Sequence, residues 1–138
     1  MRRLRLITIL LVGALPVAAL AACASTAPSP IRLVQSDSPN TSGMEGLLRG
    51  SLVIDQHGCV QAKTQTNVLV TPVWPLGYSV RGDATSFEIL DHEGRIVARS
   101  GAILSIGGGG ADRFENGWTE HACVAGGSLW MVGMVASA

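Results

Sequence analysis

The chain has 138 residues, ten basic against ten acidic, with 14% charged and 4% aromatic positions. That is room for one small folded domain beyond a leader and not for two. The composition also excludes a disordered polyelectrolyte and an aromatic-stacking surface for nucleic acid. Arginine outnumbers lysine nine to one, a bias expected of GC-rich coding.

Arg2, Arg3 and Arg5 open the chain, and Leu6 to Ala22 follows as 17 uncharged residues interrupted by Pro16. A span of roughly 20 apolar residues is needed to cross a bilayer, so residues 1–22 read as a secretory signal peptide. Its end, Leu20-Ala21-Ala22-Cys23, resembles the lipobox of bacterial lipoproteins. The resemblance implies a diacylglycerol thioether on Cys23 and cleavage just before it. The mature chain is then lipid-anchored at the extracytoplasmic face of the cell membrane. Two acyl chains hold where one does not, each buried methylene contributing about 0.8 kcal/mol. Loss of the three leader arginines leaves a mature net charge of −3, which argues against nucleic acid as a partner and leaves membrane binding to the lipid.

Residues 23–44 follow as the lipidated cysteine and a tether. Ser, Thr and Pro fill 10 of the 21 positions from Ala24 to Met44. Such a stretch lacks the apolar surface to offset its ordering entropy, and a flexible coil is expected. Ile31, Leu33 and Val34 form a small apolar island within it, read as a chance cluster in a linker, with a short docking strand as the alternative.

From residue 45 to 138 short apolar runs alternate with glycine. Strands are predicted over Leu47–Ile54, Cys59–Lys63, Val68–Trp74, Ser86–Leu90, Ile96–Arg99, Ile103–Ile106, Glu120–Val124 and Ser128–Val135. The fold class is all-β, a small antiparallel barrel or tight sandwich, either OB-like or a meander. Leu52 to Lys63 is echoed by Glu88 to Arg99, each with an Asp-x-x-Gly at its centre (Asp55 to Gly58, Asp91 to Gly94). The motif predicts two hairpin turns in which Asp caps the turn and Gly takes the left-handed position. Each has too few oxygen ligands for a calcium loop.

Lipid on Cys23 leaves Cys59 and Cys123, which an oxidising compartment would pair as a disulfide. His57-x-Cys59 and His121-x-Cys123 allow an alternative, a zinc or copper site made of His57, Cys59, His121 and Cys123. Gly107 to Gly110 lacks the helix and lysine of a phosphate loop and reads as a flexible hairpin or a close backbone approach. The loop from Pro72 to Tyr78 is the candidate recognition segment, with Trp74 and Tyr78 as binding residues; the other reading of Trp74 is core. No Gly-x-Ser-x-Gly, Ser-x-x-Lys or His-Glu-x-x-His occurs.

Across residues 46–124 the Gly58-Cys59-Val60, Val73-Trp74-Pro75-x-Gly77-Tyr78, Asp91-x-x-Gly94-Arg95-x-Val97-Ala98-Arg99-x-Gly101 and Gly107-Gly108-Gly109 elements occur together. In these the chain resembles small envelope lipoproteins of GC-rich Gram-positive bacteria. The resemblance implies a fold and an address and carries no activity with it. The sequence thus reads as a non-enzymatic binding or structural module of the cell envelope, without a cofactor. Its rim would be the Trp74 loop and the glycine run, and its partner an envelope protein or a small molecule. The alternative is a metal-binding lipoprotein.

Overall fold

The computed structural model describes residues 30–39, 43–124 and 127–137. The signal peptide, Cys23 and residues 24–29 lie outside them. Alternating side chains build β1 (Gly46–Ile54), with Leu48 and Leu52 facing the interior and Leu47 and Arg49 facing out. The chain then folds back through β2 (Val60–Thr64) and β3 (Leu69–Val73), continues through β4 (Ser79–Gly82), β5 (Phe87–Leu90) and β6 (Ile96–Arg99), and ends with β7 (Leu104–Ala111) and β8 (Ser128–Ser137).

Both Asp-x-x-Gly segments form the turns their residues dictate. Asp55 Oδ1 accepts the amides of His57 and Cys59 at 2.8 and 3.0 Å, and Gly58 sits at φ +80°. Asp91 Oδ1 accepts the amides of Glu93 and Arg95, both at 2.9 Å, and Gly94 sits at φ +79°. In each turn the glycine amide donates to the aspartate carbonyl, closing the β1–β2 and β5–β6 hairpins.

Five strands close into a ring in the order β1-β2-β3-β8-β7, antiparallel throughout except that β3 and β8 run parallel. Counted along the chain, the ring strands are ordered 1-2-3-5-4. The ring is therefore not a simple meander, because β8 inserts between β3 and β7. Gly50 is the corner: it pairs with Thr64 of β2 and Leu104 of β7, and a Cβ there would collide with the Lys63 carbonyl. The antiparallel sheet β4-β5-β6 is inserted between the third and fourth ring strands. It packs on the ring in the manner of a sandwich, sending Phe87, Ile89 and Ala98 into the core of Leu52, Val60, Ala62, Val70, Leu104, Ile106 and Val132.

The structure corrects four expectations. Residues 30–39, expected to belong to the flexible tether, are docked as an extended strap, which favours the docking-strand reading of the Ile31–Val34 island over a chance cluster. Arg32 bridges Cys59 and Gln35 bridges Trp74, so the strap fills the opening between the start of β2 and the end of β3. Its backbone is held by Arg32 N–H to Gly58 O at 2.8 Å, Val60 N–H to Arg32 O at 3.0 Å, Trp74 N–H to Val34 O at 2.9 Å and Ser36 N–H to Trp74 O at 2.8 Å. Leu33, Val34 and Ser36 are buried, and Leu33 and Val34 belong to two different cores.

The second correction is Glu120–Val124, which is not a strand. It holds a 3-10 turn, His121–Cys123, entered through Glu120 at φ +56°. The third is the glycine run, which continues β7 to Ala111; of its two readings the flexible hairpin is overturned, and the close backbone approach holds at Gly108, where a Cβ would fall on the Met131 carbonyl. Its inner position Gly108, with Gly46 opposite, leaves space for the indole of Trp130: a Cβ at Gly46 would approach Trp130 Cη2 to 2.7 Å, and one at Gly108 would approach Nε1 to 2.9 Å. The fourth is an extra strand, β4, following the Pro72–Tyr78 loop.

Candidate functional site

The sulfurs of Cys59 and Cys123 are bonded, with Cα atoms 5.5 Å apart. The metal alternative is therefore not assembled. Its thiolates are consumed in the bond, the His57 ring meets Gln56, and the His121 ring lies 4.4 Å from Phe114. Among the described residues no group of three or more His, Cys, Asp or Glu converges.

The disulfide fastens the segment between β7 and β8 onto the outer face of β2 and β3. Gln61, 4% exposed, donates to Cys123 O and to Asp55 Oδ2, both at 3.3 Å, while Thr71 Oγ1 donates to Gln61 Oε1 at 2.9 Å. A second core forms there from Val34, Cys59, Val73, Trp118, Cys123 and Leu129. Thr119 clasps the strap: its amide donates to Gln35 O, and its hydroxyl accepts from Gln35 N–H, both at 3.0 Å. The outer face of β2 and β3 is thus covered by the chain itself.

Trp74 is fully buried in the ring core, so it is not a rim residue. Its Nε1 and that of Trp130 are buried without a hydrogen-bond partner among the described residues. Tyr78 is half-buried against Trp74, with ring centroids 5.7 Å apart. It lines a cleft of about 400 Å³ at the end of the ring where β1 begins. The loop and the glycine run do meet there. Pro75 and Tyr78 form one wall, Pro39 and Met44 another, and His92 comes from the β5–β6 turn. Gly107 and Gly108 lie against Gly133 and Met134 of β8. Met134 is 75% exposed. Met44, His92 and Met134 had no signature in the sequence, because each is isolated there and only the fold gathers them.

Electrostatics keep the Tyr78 phenol protonated. Its burial and the negative charge of Asp91 raise its pKa, against a lowering by Arg95. At neutral pH it is a neutral hydroxyl. Burial works to raise the pKa of Asp91 as well. The Arg95 amide, the Arg95 guanidinium at 2.8 Å and the Glu93 amide outweigh it, and the carboxyl stays below its ordinary range. Asp83 is lowered by the Thr85 hydroxyl and the Thr85 and Ser86 amides, and Glu88 by Arg81 and Arg99 against an opposing effect of burial.

Carboxyls depressed in the folded state contribute stability that is complete above their unfolded pKa, about 4, and is lost as pH falls through the folded values. Melting temperatures taken from about pH 5 down to about pH 2 should therefore fall, and fall less steeply in Asp91→Asn. An identical slope in that variant would remove Asp91 from the acid response.

The cleft walls carry a phenol, an imidazole, two thioethers and two prolines around glycine backbone. No serine, cysteine or lysine is among them. Comparison of the chain with protein-family models, with curated proteins and with solved structures finds no match.

Proposed function

We propose that the protein is a lipoprotein of the cell envelope, anchored through Cys23, whose β-domain is a binding module. The cleft of Tyr78, His92, Met44 and Met134 is its ligand site. The observation that carries the reading is the convergence of these side chains, from four separate segments, on one concavity of about 400 Å³. That size lies within the roughly 300–1,000 Å³ of small-ligand sites. The ligand that suits it is a small neutral amphiphile, or an apolar side chain of an envelope protein: the thioethers and prolines take the apolar part, and the phenol and imidazole take hydrogen bonds. The outer face of β2 and β3 is closed by the strap and the disulfide-fastened loop, which favours the cleft over the sheet face.

The test has two arms. Mature protein from a bacterial host should begin at Cys23 and carry the mass of a diacylglycerol, and Cys23→Ser should accumulate as precursor. In the second arm, amide shifts are followed by NMR against a panel of neutral amphipathic fragments. Binding fragments should move Tyr78, His92 and Gly107, and Gly107→Leu should abolish the response by filling the cleft while leaving the fold intact. A Cβ at Gly107 comes no closer than 3.4 Å to any neighbour, so the fold has room for it. Fragment responses that spare the cleft, or that persist in Gly107→Leu, would overturn the binding site.

A further inference from the structure

Three elements run between the same two ends of the domain. The strap runs from Pro30 to Pro39, β1 from beside Met44 to Ile54, and β4 from beside Tyr78 to Gly82. Pro30, Ile54 and Gly82 line one concavity of about 340 Å³, together with Gln56 and Asp83 of the β1–β2 and β4–β5 turns. Pro39, Met44 and Tyr78 line the cleft. The two concavities are therefore at opposite poles, separated by about 13 Å along β4 and up to about 30 Å along the strap at 3.3 Å per residue.

We infer that the pole formed by the Asp55–Gly58 and Asp83–Ser86 turns faces the lipid headgroups, and that the Tyr78 cleft is held at the outward pole, open to partners outside that bilayer. The inference rests on the lipid anchor at Cys23 proposed above. Seven residue steps separate Cys23 from Pro30, a reach of at most ~25 Å; a chain free as far as Met44 would have had three times as many. The strap takes up the difference. It is pinned by backbone hydrogen bonds on both sides, by buried Leu33 and Val34, and by the Thr119 clasp. An inverted domain would have to lift Pro30 off the surface by the separation of the poles, about 13–30 Å, which takes up half or more of a fully extended reach and is disfavoured by the entropy of stretching the chain. The two turns of the near pole carry Asp55 and Asp83; Arg32 on the strap and Arg81, which precedes Gly82 and is paired with Glu88, offset them, so no net positive charge draws this pole to anionic lipid. Proximity is set by chain length and should be insensitive to salt, unlike electrostatic adsorption.

The experiment uses the full mature lipoprotein in phosphatidylcholine/phosphatidylglycerol vesicles doped with a headgroup-labelled energy acceptor. Gln56→Cys marks the near pole and Glu93→Cys the far pole, both at exposed positions. Lipid on Cys23 and the Cys59–Cys123 bond leave the new thiol as the one available to a donor dye. Energy transfer from position 56 should exceed that from position 93 by about twofold, given the ~25 Å reach of the anchor. The ratio should hold in high salt and should collapse toward one when about 20 Gly/Ser residues are inserted between Ala24 and Pro30. Leu33→Asp, which undocks the strap, should also collapse it without altering the lipid mass. Equal transfer from the two positions in lipidated protein, or more from position 93, overturns the orientation and leaves the anchor standing. Protein lacking the lipid mass and failing to float with vesicles overturns both.

Discussion

Removing the Cys59–Cys123 bond should cost about 4 kcal/mol and lower the melting temperature by roughly 20 °C, the largest single effect expected in this domain. The two cysteines are 64 residues apart, so the bond withdraws a long loop from the unfolded ensemble. In the chain-entropy account a loop of that length corresponds to the stated value. A domain of some 90 residues has total stability of only about 5–15 kcal/mol. The native side adds to the effect. The bond anchors the 3-10 turn whose Cys123 carbonyl accepts from Gln61, and both cysteines are buried, at 0% and 3% exposure. Circular-dichroism melts of Cys59→Ala/Cys123→Ala against the parent would show it. Hydrogen exchange should show the loss concentrated in residues 112–124 and the strap, with the β1–β7 and β7–β8 ladders less affected. A change below about 1 kcal/mol would mean that the second core holds that loop without the bond.

Gly108→Ala should destabilise the domain by about 3 kcal/mol, whereas Gly110→Ala, two residues along the same strand, should be close to neutral. A methyl group at Gly108 would fall on the Met131 carbonyl and press on Trp130 Nε1, at a backbone φ of +156°. Neither obstacle belongs to a flexible side-chain end, so relief requires β7 and β8 to separate where their register already shifts, between Gly107 and Gly108. At Gly110 the nearest atom to a new Cβ is 3.9 Å away. Urea unfolding of the two variants checks the contrast directly. Equal costs would show that the glycine run is needed for its backbone freedom along its whole length and not for the room it gives one indole.

Much of this fold was legible in the chain. The Asp-x-x-Gly hairpins could be read because a turn is a local device whose capping side chain and left-handed residue lie within four positions. The disulfide followed from counting cysteines after one was assigned to lipid. The strap could not be read in this way. Leu33 and Val34 are adjacent and point into two different cores, which produces neither a twofold nor a 3.6-residue period. The polar strand β4 was hidden for a related reason. Only Val80 turns inward, and its pairing comes from β5, where Arg81, Glu88 and Arg99 form a cross-strand ladder.

The glycine run left a flexible hairpin and a close backbone approach both open, because the volume it lacks is supplied by Trp130, twenty or more residues later. Glu120–Val124 looked like a strand because Ala122 and Val124 are apolar, yet its conformation is dictated by the bond at Cys123. Of the candidate site, Tyr78 and the glycine run were visible in sequence. The rest depended on which hairpin tips the ring brings to one end.

The three tryptophans divide between the two cores, Trp74 and Trp130 in the ring and Trp118 beside the disulfide, which makes the protein its own optical probe. Trp74 is enclosed in the ring, Trp118 packs in the core that contains the disulfide, and Trp130 caps the end of the ring beside Gly108. With two indole N–H groups shielded from solvent, the emission of the native state should be blue-shifted and its near-ultraviolet dichroism strong. Because a neighbouring disulfide quenches indole luminescence, reduction should brighten Trp118 before the spectrum moves to the red, so loss of the covalent clasp and loss of the ring can be timed separately in one cuvette.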